Sequence, residues 1–337
     1  MVTSDSSGVN QVTRDNSSRQ ATTAVFSCGD PNGIGPEVLL KCLDALDLSC
    51  LNPILFGPPD YLKALHRDLG LKFDWRDVEV ISVGEFPYPP RWGELDRGAG
   101  SIALESLKES ILFCQQEGFQ LLVTSPVSKE ALHYAGFEFP GQTEYVASFF
   151  DCDNPAMAFF SDRLKVMLVT THIPLIEVSQ ALNTDLLVHK GQLFRDAFQR
   201  FCSADPRIAV CGLNPHASEG GLFGKEEELL IEPAIRKLNQ IAEREIFFGP
   251  FPADSLFWKA IQGEFDGVVA LFHDQGLIPL KMVAFESAVN VTLGLPIIRC
   301  SPDHGTAFDI AGQGVADPGS MLAAVKWGLR LTGGADS

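Results

Sequence analysis

The segment TAVFSCGDPNGIGPEVLLKCLDAL, residues 23–46, decides the class of fold. A β-branched and apolar run over 23–28 enters a glycine-rich turn, and over 36–46 apolar side chains recur at three- and four-residue steps. A strand leading tightly into a helix is the first half of a strand–helix–strand unit, which lays neighbouring strands parallel and covers them with helices. The alternation continues down the chain. Further strands are expected over 53–56, 78–82, 121–124, 165–170, 208–211, 267–272 and 289–293, and helices over 101–117, 185–201, 226–243 and 321–331. The chain reads as an α/β protein with a mainly parallel sheet, in which ligands bind beyond the carboxyl ends of the strands.

Composition narrows the function. With 337 residues, 45% hydrophobic and 20% charged, the chain is long enough for a substantial core and for two packed lobes. Its 26 basic and 43 acidic residues give a net charge of −17, which repels nucleic acid and anionic lipid. A small anion remains compatible, because local Lys, Arg and helix N-termini reverse the field inside one cleft. No apolar run approaches the roughly 20 residues that span a bilayer. Residues 1–20 lack the apolar stretch of a secretory signal and read as a disordered, Ser-, Asn- and Asp-rich tail, so a cytoplasmic protein is expected. The eight cysteines contain no C-x-x-C pair and read as reduced thiols, neither a zinc knuckle nor a redox motif.

Three histidines follow expected strands: His172 in TTHIPL, His216 in GLNPHASEGG and His273 in LFHDQG. Neutral imidazole is the commonest side-chain ligand of catalytic divalent metals, and three such ligands leave positions open for substrate oxygens. Each alone also fits a hydrogen-bonded core or capping histidine; their shared placement after strands points to one metal, with zinc, cobalt, manganese and magnesium all compatible. Asp254 and Asp274 are candidates to complete or orient the ligand set, although Asp254, ahead of Ser-Leu-Phe-Trp, better suits a helix N-cap. Lys281, Asn290 and Arg299 are candidate anion clamps, with a structural ion pair as the other reading of the two basic residues. GDPNGIGPE matches neither G-x-G-x-x-G nor a P-loop and reads as a tight turn, and Lys129 in TSPVSKEAL reads as an anion contact or a solvated helix residue.

The ordered segments GDPNGIGPE, TSPVSKEAL, PGQTEY, TTHIPL, GLNPHASEGGLFGKEE, GPFPADSLF, FHDQGLIPLK and VNVTLGLPIIRCSPDHGTAFDIAGQG lie between about Val25 and Leu331 and resemble the 4-hydroxythreonine-4-phosphate dehydrogenase family. DHGTAFDIAGQGVADPGSM is also similar to the cofactor loop of isopropylmalate and isocitrate dehydrogenases. The resemblance implies two α/β/α lobes around a cleft, one formed by 21–130 with 300–337 and the other, carrying metal and dimer contacts, by 131–299. It implies NAD, with NADP as the alternative, at His304, Gly305, Thr306, Ala307, Asp309 and Gly312. It implies a divalent metal on His172, His216 and His273 in a site completed across a homodimer, and a phosphorylated substrate at Gln142, Thr143, Lys281, Asn290 and Arg299.

The implied reaction oxidises 4-phosphooxy-L-threonine at its 3-hydroxyl and decarboxylates the product to 3-amino-2-oxopropyl phosphate, a step of pyridoxal phosphate (vitamin B6) synthesis. Lys281, Asp254, Asp274 or a metal-bound hydroxide would be the base. One position departs from the pattern: the family's P-G-H-T-E segment has histidine where this chain has Gln142, which hydrogen-bonds but cannot become cationic or accept a proton as imidazole does. That departure admits a related acid, D-threonate or D-erythronate 4-phosphate, or a non-catalytic ligand-binding relative. Phosphoryl or acyl transfer is a further rival, and the absence of a P-loop argues against its phosphoryl form.

Overall fold

The computed structural model describes residues 21–201 and 205–333; the expected tail over 1–20 and Cys202 lie outside them. Among the described residues one sheet contains β1 (Thr22–Ser27), β2 (Leu51–Gly57), β3 (Glu79–Ser82), β4 (Leu121–Thr124), β5 (Ala156–Phe160), β6 (Lys165–Leu168), β7 (Ile208–Cys211), β8 (Phe247–Phe251), β9 (Gly267–Ala270), β10 (Val289–Leu293) and β11 (Ile298–Pro302). Their order is β3-β2-β1-β4-β11-β10-β5-β6-β9-β7-β8. The α/β class is as expected.

Both flanks are parallel, from β3 to β11 and from β6 to β8. The centre is not. β10 runs antiparallel to β11 and to β5, and β5 antiparallel to β6. The cause is connection length. Only residues 294–297 join β10 to β11, and 161–164 join β5 to β6, where Ser161 N–H donates to Leu164 O at 3.0 Å and Leu164 N–H to Ser161 Oγ at 3.0 Å. So short a link returns the chain antiparallel, whereas a parallel neighbour needs a crossover of about a dozen residues. β5, β8 and β11 are absent from the sequence expectation. β8 is interrupted by Gly249 and Pro250, β11 carries Arg299, and β5 is buried along its whole length without alternation.

The expected helices occur as Gly35–Ala45, Arg97–Glu117, Thr184–Phe201 and Gly319–Leu331. The one expected over 226–243 splits into a π-helical turn, Glu227–Ile231, and an α-helix, Glu232–Ala242, at Pro233, which has no N–H to continue the ladder. Helices cover both faces, so β4 and β9 are buried at every residue. No helix among the described residues is long and apolar enough to cross a membrane.

Asp30, in the turn after β1, is only 1% exposed; one carboxyl oxygen accepts Asn32 N–H at 2.9 Å and the other has no partner. Burial raises its pKa from 3.8 to about 6. The folded chain therefore retains a proton that the unfolded chain has released, so this group favours folding at low pH and opposes it, by at most about 3 kcal/mol, once pH rises through its folded pKa. Asp30→Asn should raise the melting temperature more at about pH 8 than at about pH 5. A gain that is the same at both would place the charge elsewhere.

Candidate active site

The floor of the site is one face of the antiparallel centre. Alternation at period two brings Asn290 and Thr292 of β10, Arg299 and Ser301 of β11, and Met157 and Phe159 of β5 to the same side. Register aligns them, Asn290 between Ser301 and Phe159 and Thr292 between Arg299 and Met157. Above this floor lies a cleft of about 600 Å³ whose lining also includes Thr124, Ser125, Lys129, Gln142, Thr143, Glu144, His172, His273, Asp274, Lys281, Asp303, His304 and Gly305. His273, Leu277 and Lys281 reach it from one helix, His273–Ala284, at i, i+4 and i+8. Gln142 and Thr143 open the helix Gln142–Phe149, whose unpaired N–H groups add a positive end.

Arg299 dominates the electrostatics. It is 2% exposed, and its guanidinium donates to Thr124 Oγ1 at 2.6 Å, Gln142 Oε1 at 3.1 Å and, weakly, Thr292 Oγ1 at 3.4 Å. Nε has no partner, and no acidic group lies within ion-pair distance among the described residues. Burial pushes its pKa down to about 10, which leaves it cationic at neutral pH. Eight buried side-chain polar atoms among the described residues lack hydrogen-bond partners, and five of them, on Ser125, Glu144, Asn290, Arg299 and Asp303, belong to this cleft. Buried polar groups are normally satisfied, so this concentration makes the cleft a candidate site for a polar ligand. Asp303 Oδ2 lies 3.1 Å from Lys281 Nζ, an ion pair without a well-directed hydrogen bond; burial raises the Asp303 pKa while Lys281 pulls it down.

His172 and His273 face each other across the rim, ring centroids 6.0 Å apart. Desolvation, reinforced by the charge of Lys129, lowers the His172 pKa and favours the neutral, metal-ligating form. His273 Nδ1 lies 2.7 Å from Asp274 Oδ1, the arrangement by which a carboxylate fixes a ligating imidazole. The donor chemistry of this pair therefore fits a divalent metal. His216 does not join them in the cleft. It is exposed on a turn in which His216, Ala217, Ser218 and Glu219 all have left-handed backbones, at a cost of about 1–2 kcal/mol per residue. Among the described residues no three His, Cys, Asp or Glu of one chain form a metal-sized group. Asp254 is also outside the cleft. It is not the expected N-cap: Pro252 occupies that position before Ala253–Ile261, and Asp254 lies inside the first turn, where the helix dipole favours its charge.

The loop expected to hold the cofactor packs on the glycine-rich turn. Ile34 N–H donates to Thr306 O at 3.0 Å, and a Cβ on Gly33 would meet Thr306 Cβ at 2.8 Å, so only glycine permits the contact. Gly312 fits under Trp92 in the same way, and Gln313 Nε2 donates to Asp309 O at 2.8 Å. Ala307 is left-handed. The loop's far end is held by Lys41 Nζ, which donates to Gly314 O and Ala316 O at 2.8 Å each, while Glu37 accepts Ala316 N–H at 2.9 Å. His304 and Gly305 bring the near end to the cleft. Sequence reasoning passed over Ser125, Glu144 and Asp303; each lies within a quoted segment, but the unpartnered atoms of Ser125 and Glu144 and the pairing of Asp303 with Lys281 are visible only in three dimensions.

A family model described as pyridoxal phosphate biosynthetic protein PdxA matches residues 50–328. The chain belongs to the PdxA family. A D-threonate 4-phosphate dehydrogenase of Cupriavidus necator is 39% identical over 91% of this chain and 96% of its own length. A 4-hydroxythreonine-4-phosphate dehydrogenase of Prosthecochloris aestuarii is 38% identical over 90% and 95%. The crystal structure of a 4-hydroxythreonine-4-phosphate dehydrogenase from Burkholderia phymatum superposes with a TM-score of 0.78 at 36% identity, covering 93% of this chain and 98% of that one. This PdxA-family chain is an enzyme of the dehydrogenase type, and the names of its relatives divide between two substrates.

Arg299→Met should lower kcat/KM about 100-fold or more by removing the buried anion receptor. The melting temperature should hold or rise, because no ion pair is broken. Steady-state kinetics and a thermal melt on the same preparation test both, and normal turnover with a collapsed melting temperature would make the guanidinium purely structural.

Proposed function

We propose that this chain is a cytoplasmic, metal-assisted, NAD-linked dehydrogenase that oxidises 4-phosphooxy-L-threonine at the 3-hydroxyl and releases carbon dioxide to form 3-amino-2-oxopropyl phosphate, NADP being the alternative cofactor. The observation that carries the reading is the buried, unpaired Arg299 among unsatisfied polar atoms in a cleft bordered by two histidines. Arg299, Asn290, Thr143 and the N-terminus of Gln142–Phe149 supply cationic and N–H groups for phosphate and carboxylate. Glu144 Oε2, buried without a partner, complements a substrate ammonium. When bound, NAD supplies the hydride acceptor, and a divalent ion on His172, His273 and His216 supplies positive charge beside the reacting oxygen.

In this reading Lys281 Nζ, 3.1 Å from Asp303, takes the hydroxyl proton as the free amine, and Asp274 keeps His273 oriented. Asp254 has no such position in the cleft of its own chain. The ketone formed lies β to the carboxylate, so carbon dioxide departs with its bonding electrons left on the substrate, and Lys281 returns a proton. Every described cysteine is a free thiol, in keeping with a reducing compartment.

A homodimer completes the site in this reading. His216 is exposed away from its own cleft, and large apolar side chains are exposed around the histidine-bearing elements: Leu175 at 71%, Ile176 at 83%, Leu222 at 72% and Met282 at 81%. The lobe division at residues 130 and 300 belongs to the same proposal.

A second substrate, D-threonate 4-phosphate, is favoured by Gln142, whose amide oxygen is taken by Arg299 at 3.1 Å and whose Nε2 approaches Ser125 O at 3.5 Å. Position 142 then offers the substrate no cationic donor. Absorbance of reduced nicotinamide formed from NAD and from NADP with each substrate, with and without chelator, separates the readings: chelator-sensitive turnover of the amino acid supports the first, preference for threonate phosphate supports the second, and no reduced nicotinamide from either removes both. Inactive His172→Ala and His216→Ala chains, mixed and re-equilibrated, should recover about a quarter of wild-type activity through hybrid dimers carrying one intact site. No recovery would place all three histidines in one subunit.

A further inference from the structure

Six consecutive residues, His216 to Gly221, have φ between 45° and 92°, and four of them are not glycine. Such a turn of L-residues persists only where its surroundings over-determine it. Glu227 makes three hydrogen bonds to the stem, and Glu226 Oε2 accepts a further one from Asn214 Nδ2 at 2.7 Å. Glu227, 2% exposed, accepts the backbone N–H of Leu213 at 2.8 Å and of Asn214 at 2.7 Å on Oε1, and Asn214 Nδ2 at 2.8 Å on Oε2. Gly212 closes against it, since a Cβ there would stand 2.9 Å from Ala217 Cα and 3.2 Å from Glu227 Oε1.

The same stem is tied to the other two histidines. Gln275 accepts Leu271 N–H at 2.7 Å and donates to Gly212 O at 2.8 Å, and Thr170 Oγ1 donates to Leu271 O at 2.7 Å. Thr170 precedes His172 by two residues, and Leu271 precedes His273 by two. A continuous path of hydrogen bonds, with one peptide link from Gly212 to Leu213, therefore runs Thr170–Leu271–Gln275–Gly212–Leu213–Glu227 beneath the segments that carry all three histidines.

We propose that Glu227 is a positioning residue for His216, its buried carboxyl group fixing where the strained turn presents the imidazole to a divalent ion. This rests on the metal reading of the three histidines. Glu227 opens the π-helical turn Glu227–Ile231, and such turns recur at functional sites. Groups behind metal ligands typically alter affinity 10–100-fold when removed.

The test uses cobalt(II) as probe on chelator-stripped full-length wild type, His216→Ala, Glu227→Gln and Glu227→Ala, reading affinity and the visible d–d spectrum alongside circular dichroism and melting. Glu227→Gln should bind cobalt about tenfold more weakly and Glu227→Ala about 100-fold, both shifting toward the His216→Ala spectrum while remaining folded. If His216→Ala binds cobalt as wild type does, the metal reading itself fails. If His216→Ala binds weakly while the folded Glu227 variants keep wild-type affinity and spectrum, the metal reading stands and the positioning role is overturned. Should Glu227→Ala not fold, Glu227→Gln decides alone, because it keeps the volume while setting an amide NH₂ against Asn214 Nδ2.

Discussion

A guanidinium buried in the middle of the sheet without a counter-ion is the constraint around which the site is built. Removing a charge from water costs several kcal/mol unless its partners repay it. Arg299 recovers part of that from neutral oxygens on Thr124, Gln142 and Thr292 and leaves Nε unsatisfied. The deficit is a standing demand for an anion. It also reconciles a net charge of −17 with an anionic substrate, because the local field, not the total, sets what enters.

The sheet delivers that charge through two short connections. Had β10 and β11 been joined by a helix, they would lie parallel; the four-residue link instead folds one strand back on the other and brings Asn290, Arg299 and Ser301 onto a single floor. The parallel flanks contribute their strand ends, so Thr124 closes β4 with Ser125 after it, His172 follows β6 and His273 follows β9. Parallel and antiparallel parts therefore do different work. One presents side chains from its face, and the other presents loops from its edge.

Strain and satisfaction are divided unequally between the histidines. His172 and His273 occupy ordinary backbone at the rim, whereas His216 stands on a left-handed turn whose stem is held by hydrogen bonds to the buried Glu227. In the proposed homodimer, rigid presentation of a side chain away from its own cleft suits a group that would serve the neighbouring site. The apolar side chains exposed on the same elements give that surface a reason to be covered.

Local chemistry in the sequence was enough to determine the α/β class, eight of the strands, the principal helices and the residue types of the cleft, because periodicity and turn composition act over a few residues. Lys281, Asn290, Arg299, His172 and His273 were legible as candidates from the residues, Gln142 and Thr143 only through the family resemblance, and all seven line one cleft. Tertiary structure alone decided the antiparallel centre, the strands β5, β8 and β11, the departure of His216 and Asp254 from that cleft, the pairing of Asp303 with Lys281, and the isolation of Glu144 Oε2 and Arg299 Nε from hydrogen-bond partners. These are long-range outcomes. Arg299 meets Thr124 across 175 residues and Gln142 across 157, and whether a buried polar atom is satisfied depends on which distant segments fold against it, a quantity that no local pattern encodes.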